Sequence, residues 1–330
     1  MEKSHLSIGV DISKQYFDAA FFDGTDATLA RYEYTTKGIQ KFIAAVRRNT
    51  RAFKSYRVIM EGTGSYYMRL AHSLCEAGIL TSVVNPLSIK RYGQMKLRRH
   101  KTDRADAMLI AEHGFHETPR SYVPPTADQM TISVGLRALS GFMKCKGILS
   151  RHIEALSQYP GGTDEVLAII NDIISSITAG MKRLIAILDS KCHICANDDY
   201  QRLLAIPGVG RRLASAVIGK LRCFEQFEKA KQVAAYIGMC PRISESGSSV
   251  KKSHGINKQG NGYLRTLFYM CSLSATIHNK QCHEYYRRLL ARGKAKKYAL
   301  VAVANKLLRQ IFAVVKYKRE YDPLYVSCKP

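Results

Sequence analysis

Two short apolar runs early in the chain each end on an acid, and this feature ties the N-terminal third to a sheet whose strand tips carry carboxylates. Residues 5–12 (HLSIGVDI) read as a buried strand delivering Asp11 at its end, and Arg57-Val58-Ile59-Met60-Glu61 delivers Glu61 just before Gly62-Thr63-Gly64. The segment Tyr16 to Phe22, followed by Asp23-Gly24, reads as the hairpin partner of the first strand. Thr36 to Arg48 has helical periodicity, with Ile39, Phe42, Ile43 and Val46 on one side. A helix is expected from Ser65 to about Ala77, and a third strand from Thr81 to Val84 leads into Asn85-Pro86. The order is strand, hairpin, helix, strand, helix, strand, helix. An α/β domain follows, its strand ends converging on one edge.

Onto that edge the next helix brings two more acids. If DRADAMLIA, Asp103 to Ala111, is helical, Asp103 and Asp106 fall on one face. Lys90, Arg91, Lys96, Arg98, Arg99, Lys101 and Arg104 surround them, a density of positive charge that suits a phosphate backbone. A plainer reading makes Thr102 an N-cap and the two acids favourable partners of the helix dipole. With Asp11 and Glu61 added, four acids from three places form the arrangement that two-metal phosphoryl chemistry requires. Carboxylate oxygens are hard ligands that suit Mg2+ or Mn2+, and two ions about 4 Å apart serve the attacking and leaving oxygens.

The charge balance points to the same partner. Lys and Arg number 51 against 26 Asp and Glu, a formal +25, which argues for nucleic acid. With no run of 18 apolar residues and no apolar core in MEKSHLSIGV, no membrane partner is expected and the protein should be soluble and cytoplasmic. The nine cysteines show no even framework. Cys192 and Cys195 have the spacing of half a zinc site, but Cys223 and Cys240 supply no second pair.

Residues 115–130 hold three prolines and read as a linker. Long helices are expected from about Asp128 to Gln158 and from Thr163 to about Ser190, separated by Tyr159-Pro160-Gly161-Gly162. In the second, Val166, Ile169, Ile170, Ile173, Ile177, Met181, Leu184 and Leu188 make a stripe close to a heptad seam. Such a hairpin has surplus apolar face, to be covered within the chain or, as favoured here, by a second copy. Leu203 to Gly210 followed by Arg211 and Arg212 has the pattern of a helix-hairpin-helix. There Gly208 and Gly210 would keep the turn clear so that backbone amides meet a phosphate, or the segment is a plain helical turn. A helix from Lys231 to Ile237 leads into a serine-rich loop ending near Ser249. Lys251, Lys252, Lys258 and Arg265 follow, in a stretch from Lys251 to Arg319 that holds 16 Lys or Arg and the single acid Glu284. Serines there lie near phosphate, and a serine hydroxyl needs deprotonation to attack it. The last helix, Lys297 to Val315, closes the core of this second half.

With the four acids, the IPGVG turn, the SESG loop and KQGNGYLR in place, the chain resembles the DEDD transposases of bacterial insertion sequences, relatives of Piv-type DNA invertases. The resemblance covers nearly the whole chain. It implies a RuvC-like (RNase H-like) catalytic domain over 1–120, a linker and coiled-coil dimerisation hairpin over 121–195, and a mainly α C-terminal transposase domain over 196–330. It implies that Asp11, Glu61, Asp103 and Asp106 hold the metal and that a serine before a glycine attacks DNA; Ser246 before Gly247 fits, with Ser244 as the alternative. It implies further partners: donor and target DNA, a structured bridge RNA from the element's own end, and a homodimer or tetramer acting on the bacterial nucleoid. The rivals are a RuvC-like nuclease or junction resolvase that needs no serine, and a nucleic-acid-binding protein without catalysis.

Overall fold

A computed structural model describes residues 3–97, 102–246 and 250–324, with the backbone alone at 3–4, 242–246 and 250–254. The chain divides into two compact units, 1–124 and 125–330.

The first unit is built on a five-stranded sheet of order β3-β2-β1-β4-β5, formed by β1 (Lys3–Ile12), β2 (Tyr16–Phe22), β3 (Ala27–Glu33), β4 (Phe53–Glu61) and β5 (Thr81–Val84). The β1–β2–β3 meander is antiparallel, while β1, β4 and β5 run parallel. Both faces are covered, which is why the parallel strands read as apolar runs. On one face lie α1 (Thr36–Asn49) and α2 (Tyr66–Glu76), whose Phe42, Val46, Leu70 and Leu74 pack with Val10, Phe17 and Met60. On the other face α3 (Pro86–Met95) and α4 (Asp103–Glu117) pack Ile89, Tyr92, Leu109 and Ile110 against Ile59.

Helix α4 lies directly on β1 because neither surface has bulk there. A Cβ on Gly9 would stand 2.2 Å from both Ala107 O and Ala111 N. Ser7 Oγ donates to Ala111 O at 2.6 Å and locks that contact. Strand β3 was not anticipated from the sequence. It is an edge strand, and its residues alternate only between exposed and half-buried, so no apolar pattern announces it.

The second unit is mainly helical. Helix α5 (Ala127–Leu156) packs antiparallel on α6 (Asp164–Leu204): Asp128 pairs with Lys191 at 2.7 Å, Gly135 lies under Leu188, and Lys146 Nζ donates to Thr178 Oγ1 at 3.0 Å. Helix α6 runs 14 residues past the end expected at Ser190, interrupted only at Ala196 (φ −163°, ψ 59°). A kink inside one helix therefore sits where the sequence reading draws a domain edge.

Next come α7 (Arg211–Gly219), α8 (Ala230–Ile237), strands β6 (Pro241–Ser246) and β7 (Val250–Ile256), α9 (Gly262–His278), α10 (Lys280–Ala291) and α11 (Lys296–Lys316). The expected serine-rich loop is in fact an antiparallel ribbon, β6 on β7. Its polar residues hid the strands, although the β-branched Ile243, Val250 and Ile256 favour extended backbone. Among the described residues α11 alone is long and apolar enough to cross a membrane by length and composition. Its Val303, Leu307, Leu308 and Ile311 are fully buried in the core of this unit, with Leu213, Val217 and Phe268.

Candidate active site

The parallel register sets the first two acids level. Val10 pairs with Met60, so Asp11 and Glu61, each the next residue on, leave the sheet at the same edge. Asp11 also stands opposite Asp18 on β2, and Asp18 opposite Arg31 on β3. Residues directly opposite on antiparallel strands project to one face, and here it is the face α4 covers. A row of Arg31, Asp18, Asp11 and Glu61 thus crosses the sheet under the first turn of α4.

That turn is made by Thr102, whose hydroxyl accepts the Ala105 N–H at 3.2 Å, and it carries Asp103 and Asp106. The cap and the acidic pair are two aspects of one element. Tyr16 Oη donates to Asp103 Oδ2 at 3.0 Å, and Arg31 Nη2 lies 3.8 Å from the same oxygen. Arg31 is fixed from below by a two-pronged bond to Asp18 at 3.0 and 2.8 Å, and its guanidinium stacks 3.9 Å from the Tyr16 ring centre. Glu61 accepts the Thr63 hydroxyl.

The carboxylates share one electrostatic field. Asp11 is pushed up to about 6, by burial first and then by Asp106, Asp103 and Glu61, against the opposing backbone hydrogen bond at Ile12. Four hard oxygen donors whose charges repel one another suit a divalent cation, which relieves the repulsion. Asp11, Glu61, Asp103 and Asp106 are the residues that would hold it. As they stand, no three His, Cys, Asp or Glu side chains among the described residues close on one point.

The raised Asp11 makes a stability prediction. Its folded-state value lies above its unfolded one, so the ionised group destabilises the fold above pH 6, and that penalty fades as pH falls through 6 toward 4. Asp11→Asn should therefore stabilise the metal-free protein at pH 7.5 by about 1–2 kcal/mol, after discounting for solvent screening. The advantage should vanish near pH 4. Thermal melts of both proteins at the two pH values check this, and equal melts at pH 7.5 contradict it.

The residues assigned to nucleic acid are less uniform than the sequence implies. Arg104 is exposed on α4, and Lys101 lies outside the described residues. Gly208 (φ +95°) is needed for packing: a Cβ there would meet Ala275 of α9 at 2.7 Å, whereas a Cβ on Gly210 would meet nothing within 4 Å. Gly208 is thus accounted for by its packing on α9, a correction to the clear-turn reading there, while the space beside Gly210 is open. Arg211 reaches Asp189 at 3.5 Å, and Arg212 faces Tyr263. Arg265 donates to Ile237 O at 2.8 Å, tying α9 to the end of α8, a structural task the sequence did not reveal. Lys258 is exposed. On the ribbon, Lys252 is in register with Ser244, Lys251 with Glu245, and Val250 with Ser246 at the tip of β6. A cleft of about 740 Å³ in the second unit is lined by Asp199, Arg202 and Lys318, whose ion pairs at 3.2 and 2.5 Å already satisfy one another.

Sequence reasoning missed Tyr16, Asp18 and Arg31. The available signal was an acid buried within the apolar β2 run, which requires a cation nearby.

Comparison with known proteins gives this geometry a family. Residues 8–156 match a transposase model of the DEDD type of IS110 elements, and residues 200–287 match the transposase model of the IS116/IS110/IS902 family. The pilin gene-inverting protein of Moraxella bovis is 27% identical over 321 residues, covering 97% of this chain and 98% of that one. The transposase for insertion sequence element IS1111A of Coxiella burnetii is also 27% identical, covering 95% and 90%. With these matches, the chain is in class a DNA-recombining enzyme of the transposase type, and its mixed α/β sheet followed by a mainly helical region is compatible with that. The chain belongs to the IS110/IS116 family of insertion-sequence transposases.

Proposed function

We propose that this enzyme is an RNA-guided recombinase that breaks and rejoins DNA through a phosphoserine link, with a RuvC-like acidic site and Ser246 as nucleophile. The observation that carries the reading is the common field of Asp11, Glu61, Asp103 and Asp106, three separate pieces of chain meeting at one sheet edge. Asp11, Glu61, Asp103 and Asp106 would hold Mg2+ or Mn2+, which would supply stabilisation of the charge that develops on phosphate and leaving oxygen. Ser246 Oγ attacks phosphorus as its proton passes to a base. The new Ser–O–P bond forms while the P–O bond to the leaving sugar oxygen breaks, so bond energy is conserved for a second hydroxyl to reverse the step.

Donor and target DNA pair with a structured bridge RNA from the element's own end. The helix-hairpin-helix with Gly210 and Arg211, together with Lys101, Arg104, Lys251, Lys252 and Lys258, supplies positive charge to these backbones. Along the α5–α6 hairpin, Val166, Ile169 and Ile173 remain exposed, and a coiled-coil contact with a second copy would cover them in a dimer or tetramer. The enzyme then acts in the cytoplasm on nucleoid DNA.

Labelled donor and target DNA, incubated with RNA transcribed from the element's ends, test guidance. Joined product is expected only when RNA and Mg2+ are both present, and chelation should abolish it. Equal joining without RNA contradicts guidance.

A further inference from the structure

We propose that Tyr16 and Arg31 are positioning residues for Asp103, a carboxylate-aiming pair outside the DEDD acids. This rests on the reading of Asp103 as a metal ligand. One oxygen of Asp103, Oδ2, receives the Tyr16 hydroxyl at 3.0 Å and faces Arg31 Nη2 at 3.8 Å. Fixing one oxygen fixes the direction of the other. Partners of this kind behind a ligand set its orientation, and their loss lowers metal affinity about 10- to 100-fold.

The pair is itself rigidly held. Arg31 grips Asp18 with two hydrogen bonds, the Asp18 side chain is 2% exposed, and the guanidinium carbon stands 3.9 Å over the Tyr16 ring centre. Only arginine offers both the fork and the flat face. An ion pair with one partner buried and the other 45% exposed is weak evidence of a stabilising role, since desolvation of the carboxylate offsets much of the attraction. Its location says more. Asp18 is the cross-strand neighbour of Asp11, so the pair is anchored in the same row as the acids it serves.

Charge and aim make opposite predictions. If Arg31 mattered only as a charge, removing it would strengthen binding of a cation at the acids. If it aims Asp103, removing it weakens binding. Tyr16→Phe changes no charge and isolates the aiming effect.

The experiment is Mn2+ titration of the full chain by calorimetry and by the Mn2+ paramagnetic resonance signal, with thermal melts alongside. Tyr16→Phe and Arg31→Ala are each expected to weaken Mn2+ binding about tenfold, and Arg31→Lys, which keeps charge but loses the fork, to fall between Arg31→Ala and the unaltered chain. Lower melting with unchanged Mn2+ affinity in Tyr16→Phe overturns the proposal, as does tighter binding in Arg31→Ala. Asp103→Asn and Asp11→Asn separate this failure from a deeper one. If they bind Mn2+ as the unaltered chain does, or if that chain binds none, the metal reading falls and the positioning role with it.

Discussion

Gly9→Ala is expected to destabilise the N-terminal unit by about 3 kcal/mol, and to disturb the acidic site although Gly9 carries no chemistry. The added methyl would lie 2.2 Å from Ala107 O and Ala111 N and 2.8 Å from Ala111 Cα. All three are main-chain atoms of α4, so no side-chain rotation relieves the clash. The helix must lift from β1, losing the Ser7 bond to Ala111 O and drawing Asp103 and Asp106 away from Asp11. A loss of that size is a large part of an ordinary domain's 5–15 kcal/mol, roughly. Gly180→Ala on α6 is the control. A Cβ there meets nothing within 4 Å, and the exchange should stabilise slightly, by about 0.5–1 kcal/mol, because alanine favours helix. Urea unfolding separates the two. If Gly9→Ala changes stability by under about half a kcal/mol, α4 does not rest on β1 as described.

Chemical lesions at the two halves of the proposed mechanism should fail differently. Asp106→Asn keeps size and helix-start character but removes a charge from the cluster. That charge would help hold the cation, and losing the cation's stabilisation of the transferring phosphate, about 4 kcal/mol, is roughly a thousandfold in rate. Folding should be intact, because Asp106 is only half-buried and its main-chain N–H bonds to Thr102 O at 2.8 Å whatever the side chain. Ser246→Ala leaves the acids untouched and removes only the attacking oxygen. The first variant should neither break nor attach to DNA. The second should lose the attachment, and with it the joining that depends on conserved bond energy.

How far the sequence disclosed this arrangement follows from burial. Strands β1, β4 and β5 are covered on both faces, so they appear as apolar runs, and an acid closing such a run stands out. Asp103 and Asp106 were legible because a cap and a three-residue spacing locate a helix face before any packing is known. The edge strand β3 was not, because its residues face solvent, and with it Arg31 was lost. Tyr16 and Asp18 were in view as part of β2, but their meaning depends on the cross-strand register that brings Arg31 opposite. In the second unit, periodicity marked α5 and α6 but not the continuation past Ser190. Gly208 and Arg265 looked like nucleic-acid contacts because spacing cannot distinguish a glycine that clears a turn from one pressed against Ala275. Nor can it tell an arginine awaiting phosphate from one bound to Ile237 O.

The covalent step is tested most directly by a denaturing gel of labelled DNA incubated with Mg2+ and RNA from the protein's own locus, run with the unaltered chain, Ser246→Ala and Asp106→Asn. The expected result is a shifted, protease-sensitive DNA band with the unaltered chain only. Cleaved DNA free of protein, in equal amount from the unaltered chain and Ser246→Ala, would contradict the phosphoserine mechanism and make the acidic site that of a hydrolytic nuclease.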